Sequence, residues 1–148
     1  MSLVGRRNVI IKNLQIRGFN VGVGGENCSN VKILWNNITS SIEGMHFSWS
    51  FLITVSGNII AENGGNGILF ENCSNCTISG NNVTANYCGI RIQHSNNNIV
   101  YRNHVAKNSM DGIRVEFSSS RNIILQNYWQ TMFMALMVPP IMSFPAIT

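Results

Sequence analysis

Apolar and polar residues alternate in short bursts along most of the chain, and the bursts recur. "MHF", "ILF", "IRI" and "IRV" follow Gly44, Gly67, Gly89 and Gly112. A period of two puts Met45 and Phe47, Ile68 and Phe70, Ile90 and Ile92, and Ile113 and Val115 on one face of a strand. Ile10, Ile33, Val55, Ile78, Val100 and Ile124 each lie three residues before an Asn and predict a second strand. Ile38, Ile60, Val83, Val105 and Trp129 lie two residues after an Asn and predict a third, pointing inward. No 3.6-residue period occurs and Pro is absent before Pro139, so helical solenoids are excluded. The L-x-x-L-x-L frame of a leucine-rich repeat is missing as well.

The bursts keep a fixed register. Gly22, Gly44, Gly67, Gly89 and Gly112 are spaced by 22 or 23 residues. Asn13, Asn36, Asn58, Asn81, Asn103 and Asn127 form a second column at 22 to 24, and Asn63, Asn86 and Asn108 a shorter third. Three short strands per repeat, stacked in register, predict an all-β fold: a right-handed parallel β-helix of about five to six coils over residues 1–130. Like residues then stack about 4.8 Å apart. Stacked Asn amides form a hydrogen-bonded ladder, with Asn taking unusual backbone angles at the corners and Gly serving corners that need positive φ. The small differences in spacing predict coils with one extra corner residue.

The pattern stops near Asn127. The stretch from Asn122 to Thr148 has no charged residue, and residues 131–148 form a Met-rich apolar tail broken by Pro139 and Pro140. That run is too short and interrupted to span a membrane. It is expected to cap the last coil, since a solenoid end exposes edge and core, or to contact a second chain. Ile99, Tyr101, Ile123 and Leu125 point outward as an apolar face that the tail or a second subunit could cover, giving a homo-oligomer contact.

Composition narrows the function. The chain has 148 residues, 45% hydrophobic and 11% charged, enough for one core and against disorder. Its net charge of +4 comes from ten scattered Lys and Arg that form no block, so no nucleic-acid partner is expected. The opening "MSLVGRR" has no signal-peptide core, consistent with a piece excised from a longer protein. Four Cys do not make a disulfide scaffold.

The candidate chemistry lies on the strand after the Gly column. Its outward positions read Gly24, His46, Leu69, Arg91, Arg114 and, beside them, Glu26, Ser48, Glu71, Gln93, Glu116. His46, Glu71, Arg91, Gln93, Arg114 and Glu116 therefore form a strip suited to hydrogen-bonding sugar hydroxyls or carboxylates. The plain alternative is a solvated face whose charges pair across rungs. Glu71 and Glu116 are two rungs apart, roughly 9–10 Å, at the outer limit for an inverting glycosidase pair. Asp111 is the sole Asp, too little for a carboxylate calcium site. Cys73 and Cys76 make a C-x-x-C, one near a corner and one on an inward strand position, and are expected as buried free thiols. His46, His94 and His104 occupy different columns, so no metal or other cofactor is expected. Sequons at Asn27, Asn37, Asn72, Asn75 and Asn82 are a by-product of the repeat, usable only in a secretory or surface setting.

The unit GI-x-x-x-x-S-x-N-x-x-I-x-x-N-x-(I/V)-x-x-N, as in Gly67–Asn86 and Gly89–Asn108, resembles the right-handed parallel β-helix repeats of NosD-like and CASH-type proteins over about residues 6–130. The resemblance implies the fold and an extracellular, cell-surface or periplasmic location. It admits three functions: a non-catalytic module of a larger protein, binding carbohydrate or serving as scaffold; a carbohydrate-active lyase, hydrolase or epimerase, or a fragment of one; and a NosD-like periplasmic accessory factor for copper delivery. Enzymes of this type carry more coils and clustered acidic residues, which favours the first.

Overall fold

The computed structural model describes residues 1–130. The tail 131–148, expected as a cap or oligomer contact, lies outside the described residues. The chain winds as a parallel β-solenoid of six coils with three strands each, and the described residues contain no helix. The first six-stranded sheet stacks Ser2–Val4, Val21–Glu26, Glu43–Ser48, Asn66–Glu71, Cys88–Gln93 and Ile113–Glu116. The second stacks Arg7–Lys12, Ser29–Leu34, Thr54–Ser56, Thr77–Ser79, Ile99–Tyr101 and Ile123–Leu125. The third stacks Gln15–Arg17, Asn37–Thr39, Ile59–Ala61, Asn82–Thr84, His104–Ala106 and Tyr128–Gln130.

The sheets enclose one apolar column. Met45, Phe47, Ile68, Phe70, Ile90 and Ile92 line the first sheet's inner face, with Ile33, Val55 and Ile78 from the second and Ile38, Ile60 and Val83 from the third, all fully buried. Phe47 and Phe70 meet edge to face at 6.0 Å. Trp129 continues the inward register of Val105 on the last described coil but stays exposed.

The corners follow one rule. A residue at positive φ turns the chain, and where the next residue is Ser, Asn or Cys76 its inward side chain accepts the N–H of its counterpart one coil below; Val31 and Ile53 fill the same kind of slot with apolar side chains. The turning positions form four columns: Gly5, Asn27, Trp49, Asn72, His94, Phe117; Asn8, Asn30, Leu52, Asn75, Asn97, Arg121; Asn13, Trp35, Gly57, Gly80, Arg102, Gln126; and Gly18, Ser40, Glu62, Ala85, Lys107. Among the described residues Ser118 is the one positive-φ residue outside them, and it is the extra residue of its corner. Longer connections at Gly64–Gly65 and Ser109–Met110 each add one residue, and the Asn103–Asn127 step, which holds the second of these and Ser118, is 24 residues.

Asn36, Asn58, Asn81, Asn103 and Asn127 run up one corner as a ladder. Each amide oxygen accepts both the backbone N–H and the side-chain N–H of the Asn below, at 2.8–3.0 Å for Asn36–Asn58 and Asn58–Asn81. Asn63, Asn86 and Asn108 repeat the pattern at the next corner. The ladder Asn do not themselves take the left-handed conformation; the residue before each does.

Asn13 is corrected out of the ladder. Leu14 holds the first-coil position, donating its N–H to Asn36 at 3.1 Å, while Asn13 is an exposed turning residue at φ 58°. The true repeat there is 22 residues and the Asn13–Asn36 step is 23. The slip carries to the strand: Ile11, not Ile10, faces the core, and Ile10 is exposed. The Gly column is also recast. Its members do not need positive φ. A Cβ on Gly67 would lie 2.7 Å from the carbonyl oxygen of Gly89, 2.8 Å from Val83 and 2.9 Å from the Asn86 amide. Close packing against the ladder, not backbone handedness, selects glycine.

Candidate functional site

The outer face of the first sheet brings together the six residues of the expected strip. Parallel register puts Leu69 above His46, Glu71 above Ser48, Arg91 and Gln93 above those, then Arg114 and Glu116. Two groups result. In the lower one Gln93 donates to Glu71 Oε1 at 2.9 Å, and His46 Nε2 lies 3.5 Å from Glu71 Oε2 without hydrogen-bond geometry.

The upper group is centred on Glu116, whose side chain is only 6% exposed. Arg91 donates from Nε to Glu116 Oε1 at 2.6 Å and pairs through a terminal nitrogen with the same oxygen. Arg114 Nε reaches Glu116 Oε2 at 2.6 Å, and its Nη1 reaches Asp111 Oδ2 at 3.3 Å. Two like charges one rung apart are thus held by two carboxylates that are almost buried. The Arg side chains keep about a quarter of their surface in solvent.

Asp111 belongs to this group although the strip pattern omits it. It stands three residues before Arg114 at a lengthened corner, so column periodicity does not reveal it. A second feature is aromatic. The turning residues next to the strip include Trp49, 62% exposed, and Phe117, 56% exposed. Phe117 stacks on His94 with ring centres 5.3 Å apart and planes 14° from parallel. These rings edge the Ser48, Gln93 and Glu116 side of the strip. The signal in the sequence was a bulky residue directly after the outward column at 49, 94 and 117.

The remaining candidates are dispersed. Among the described residues no three His, Cys, Asp or Glu side chains converge as a metal site. His94 is stacked on Phe117, and His104 is stacked on Tyr128 at 4.9 Å in the third sheet. Of the sequons, Asn27, Asn75 and Asn82 are exposed, while Asn37 and Asn72 are half-buried. No described helix is long and apolar enough to cross a membrane.

Comparison with known proteins follows the same lines. The family model described as periplasmic copper-binding protein (NosD) matches residues 2–134. A search of curated proteins finds no match. Among solved structures, a double mutant of the periplasmic alginate epimerase AlgG superimposes with TM-score 0.76 at 18% identity, over 88% of this chain and 43% of that one. DFA-IIIase from Arthrobacter chlorophenolicus A6, in complex with GF2, gives 0.68 at 16%, over 80% and 30%. The enzymatically active domain of bacteriophage CBA120 tailspike protein 2 gives 0.63 at 16%, over 85% and 24%. The chain spans less than half the length of each of these structures, and at such identities the likeness is one of fold.

Proposed function

The chain belongs to the NosD family, and we propose that within it the chain is a non-catalytic β-helix module that binds saccharide on the outer face of its first sheet. One observation carries this reading. Exposed aromatic rings at Trp49 and Phe117 border a row of hydrogen-bonding side chains on a single flat face. Aromatic faces pack against apolar sugar faces while Gln, Arg and His meet hydroxyls. Membership of a periplasmic family and likeness to a periplasmic neighbour support an extracytoplasmic placement.

The charge pattern favours a neutral sugar. Arg91 and Arg114 are already balanced by Glu116 and Asp111, so neither guanidinium is spare for a ligand carboxylate. Glu71 adds a further negative charge. The same engagement weighs against the enzymatic alternative: Glu116 is committed to two Arg, and Glu71, two rungs away, is held by Gln93.

The family description also names copper, which needs converging His, Cys or Met donors. The three His lie in separate columns, and the Cys73–Cys76 pair is buried with no third His, Cys, Asp or Glu donor beside it. The described residues do not fit a copper centre. A glycan array on the purified chain, followed by turnover assays on each ligand found, tests the proposal. Binding of neutral glycans without turnover is expected. Conversion of a bound glycan would select the enzymatic reading, and an array without any ligand would leave only a scaffold.

A further inference from the structure

We propose that Cys73 and Cys76 are a disulfide-forming pair that closes across a single solenoid corner in an oxidising compartment. The inference is independent of the saccharide reading.

The other coils place different residues in the same two columns. Cys73 stacks with Cys28, Ser50, Ser95 and Ser119. There the inward side chain accepts an N–H from below, and Ser does so at 3.0 Å for Cys28, 2.9 Å for Cys73 and 3.2 Å for Ser95. Cys76 stacks with Val31, Ile53, Asn98 and Asn122. Asn98 accepts the Cys76 N–H at 2.9 Å and Asn122 that of Asn98 at 3.0 Å, whereas the sulfur of Cys76 receives Ile53 N–H at 3.4 Å. Sulfur is the weakest acceptor in both columns. The fold accepts oxygen at either position, yet this coil carries sulfur at both.

The fold places the two thiols on either side of one tight corner. Only Ser74 and Asn75 separate them, with Asn75 turning the chain at φ 55°. Both side chains are buried in the same core. The Cys73 sulfur lies against the carbonyls of Phe47 and Glu71 at 3.3 and 3.4 Å, and the Cys76 sulfur against that of Ser74 at 3.2 Å. Each thiol acts on the other's ionisation. A hydrogen bond from Cys76 holds the Cys73 thiol below its usual range, and the same bond, reinforced by burial, pushes Cys76 far above it. That asymmetry matches an attacking and a resolving sulfur.

The remaining thiols are internal controls. Cys28 fills the slot of Cys73 two coils below but has Val31 where Cys76 would stand. Cys88 stands apart, pushed up to about 12 chiefly by burial and secondarily by the charge of Asp111.

The oxidant is a small-molecule disulfide such as oxidised glutathione. The Cys73 thiolate attacks one of its sulfurs, forming a mixed disulfide and expelling one thiolate. Cys76 gives up its proton, attacks the Cys73 sulfur and expels the second. One S–S bond forms, two electrons pass to the oxidant, and the two protons leave with the two released thiols. Access to these buried sulfurs comes while the corner is open, during folding or local unwinding.

The test is thiol counting on the whole chain in glutathione redox buffers, started both from native protein and from chain refolded in the same buffer. After denaturing alkylation of the oxidised sample, only Cys28 and Cys88 are expected to be labelled, with a mass lower by two hydrogens. Cys73→Ser and Cys76→Asn, residues that neighbouring coils already use, should fold with unchanged far-UV circular dichroism and form no internal disulfide. Labelling of all four cysteines in oxidised buffer from both starting states would overturn the proposal. So would a disulfide that includes Cys28, or a stable glutathione adduct at Cys73.

Discussion

Asn81 accepts two hydrogen bonds from Asn58 through one oxygen, 2.9 Å from the backbone N–H and 3.0 Å from the side-chain amide. Its own amide nitrogen donates to Val55 O and to Asn103 Oδ1, both at 2.9 Å. Every polar atom of a fully buried side chain is thereby satisfied. Removing it strands the Asn58 backbone N–H and takes a donor from the Val55 carbonyl, while the Asn58 amide keeps the carbonyls of Ile33 and Ser56.

Asn81→Ala should therefore lower unfolding free energy by about 1–3 kcal/mol in denaturant titration, the usual cost of unpaired buried polar groups. Asn13→Gly, outside the ladder at a turning position that glycine adopts freely, should stay within about 0.5 kcal/mol of the parent. Equal effects at the two sites would contradict the register.

Gly67→Ala tests the close-packed glycine column. The added methyl meets backbone oxygen, Val83 and the Asn86 amide, all under 3 Å, so the coils must separate locally. A loss of about 1–3 kcal/mol is expected from overpacking. Neutral or improved stability would show that the column is not tightly stacked.

Much of this was legible because parallel stacking writes its register into the sequence. The recurring "GI" units fixed the first sheet, and the Asn steps fixed the principal ladder. What stayed hidden has physical causes. Trp35, Leu52 and Lys107 turn the chain at positive φ against their own preference, because hydrogen bonds to neighbouring coils set the backbone there. Asn13 mimicked a ladder residue one step early, and a one-residue shift sufficed to reverse Ile10 and Ile11. The strip residues could be placed side by side, but the sharing of Glu116 between two Arg and the recruitment of Asp111 depend on side-chain reach.

Glu116→Gln probes that shared carboxylate. Arg91 would lose its counter-ion while Arg114 kept Asp111. Because both Arg remain partly solvated, screening moderates the cost to roughly 1–2 kcal/mol. Affinity for acidic oligosaccharides should rise as Arg91 becomes available. Unchanged stability together with unchanged selectivity would remove Glu116 from the account.

The outward face of Ile99, Ile123 and Leu125, with half-buried Tyr101 beside them, is a candidate association surface. From the sequence alone, residues 131–148, which lie outside the described residues, or a second subunit are expected to cover it. Deleting residues 131–148 should produce concentration-dependent association in light scattering, and adding Ile123→Glu to the shortened chain should abolish that association. A shortened chain that remains monomeric would refute the covering role.

The proposed saccharide-binding face is tested most directly by titrating neutral and acidic oligosaccharides while following the Trp49 indole N–H and the Arg91 and Arg114 Nε–H signals by NMR. The account predicts that a neutral oligosaccharide at millimolar concentration moves the Trp49 signal and those of the strip. It also predicts that Trp49→Asn, the residue found at positions 27 and 72 of the same column, abolishes the response without unfolding the chain. Strip signals that stay fixed for every oligosaccharide tested would contradict it.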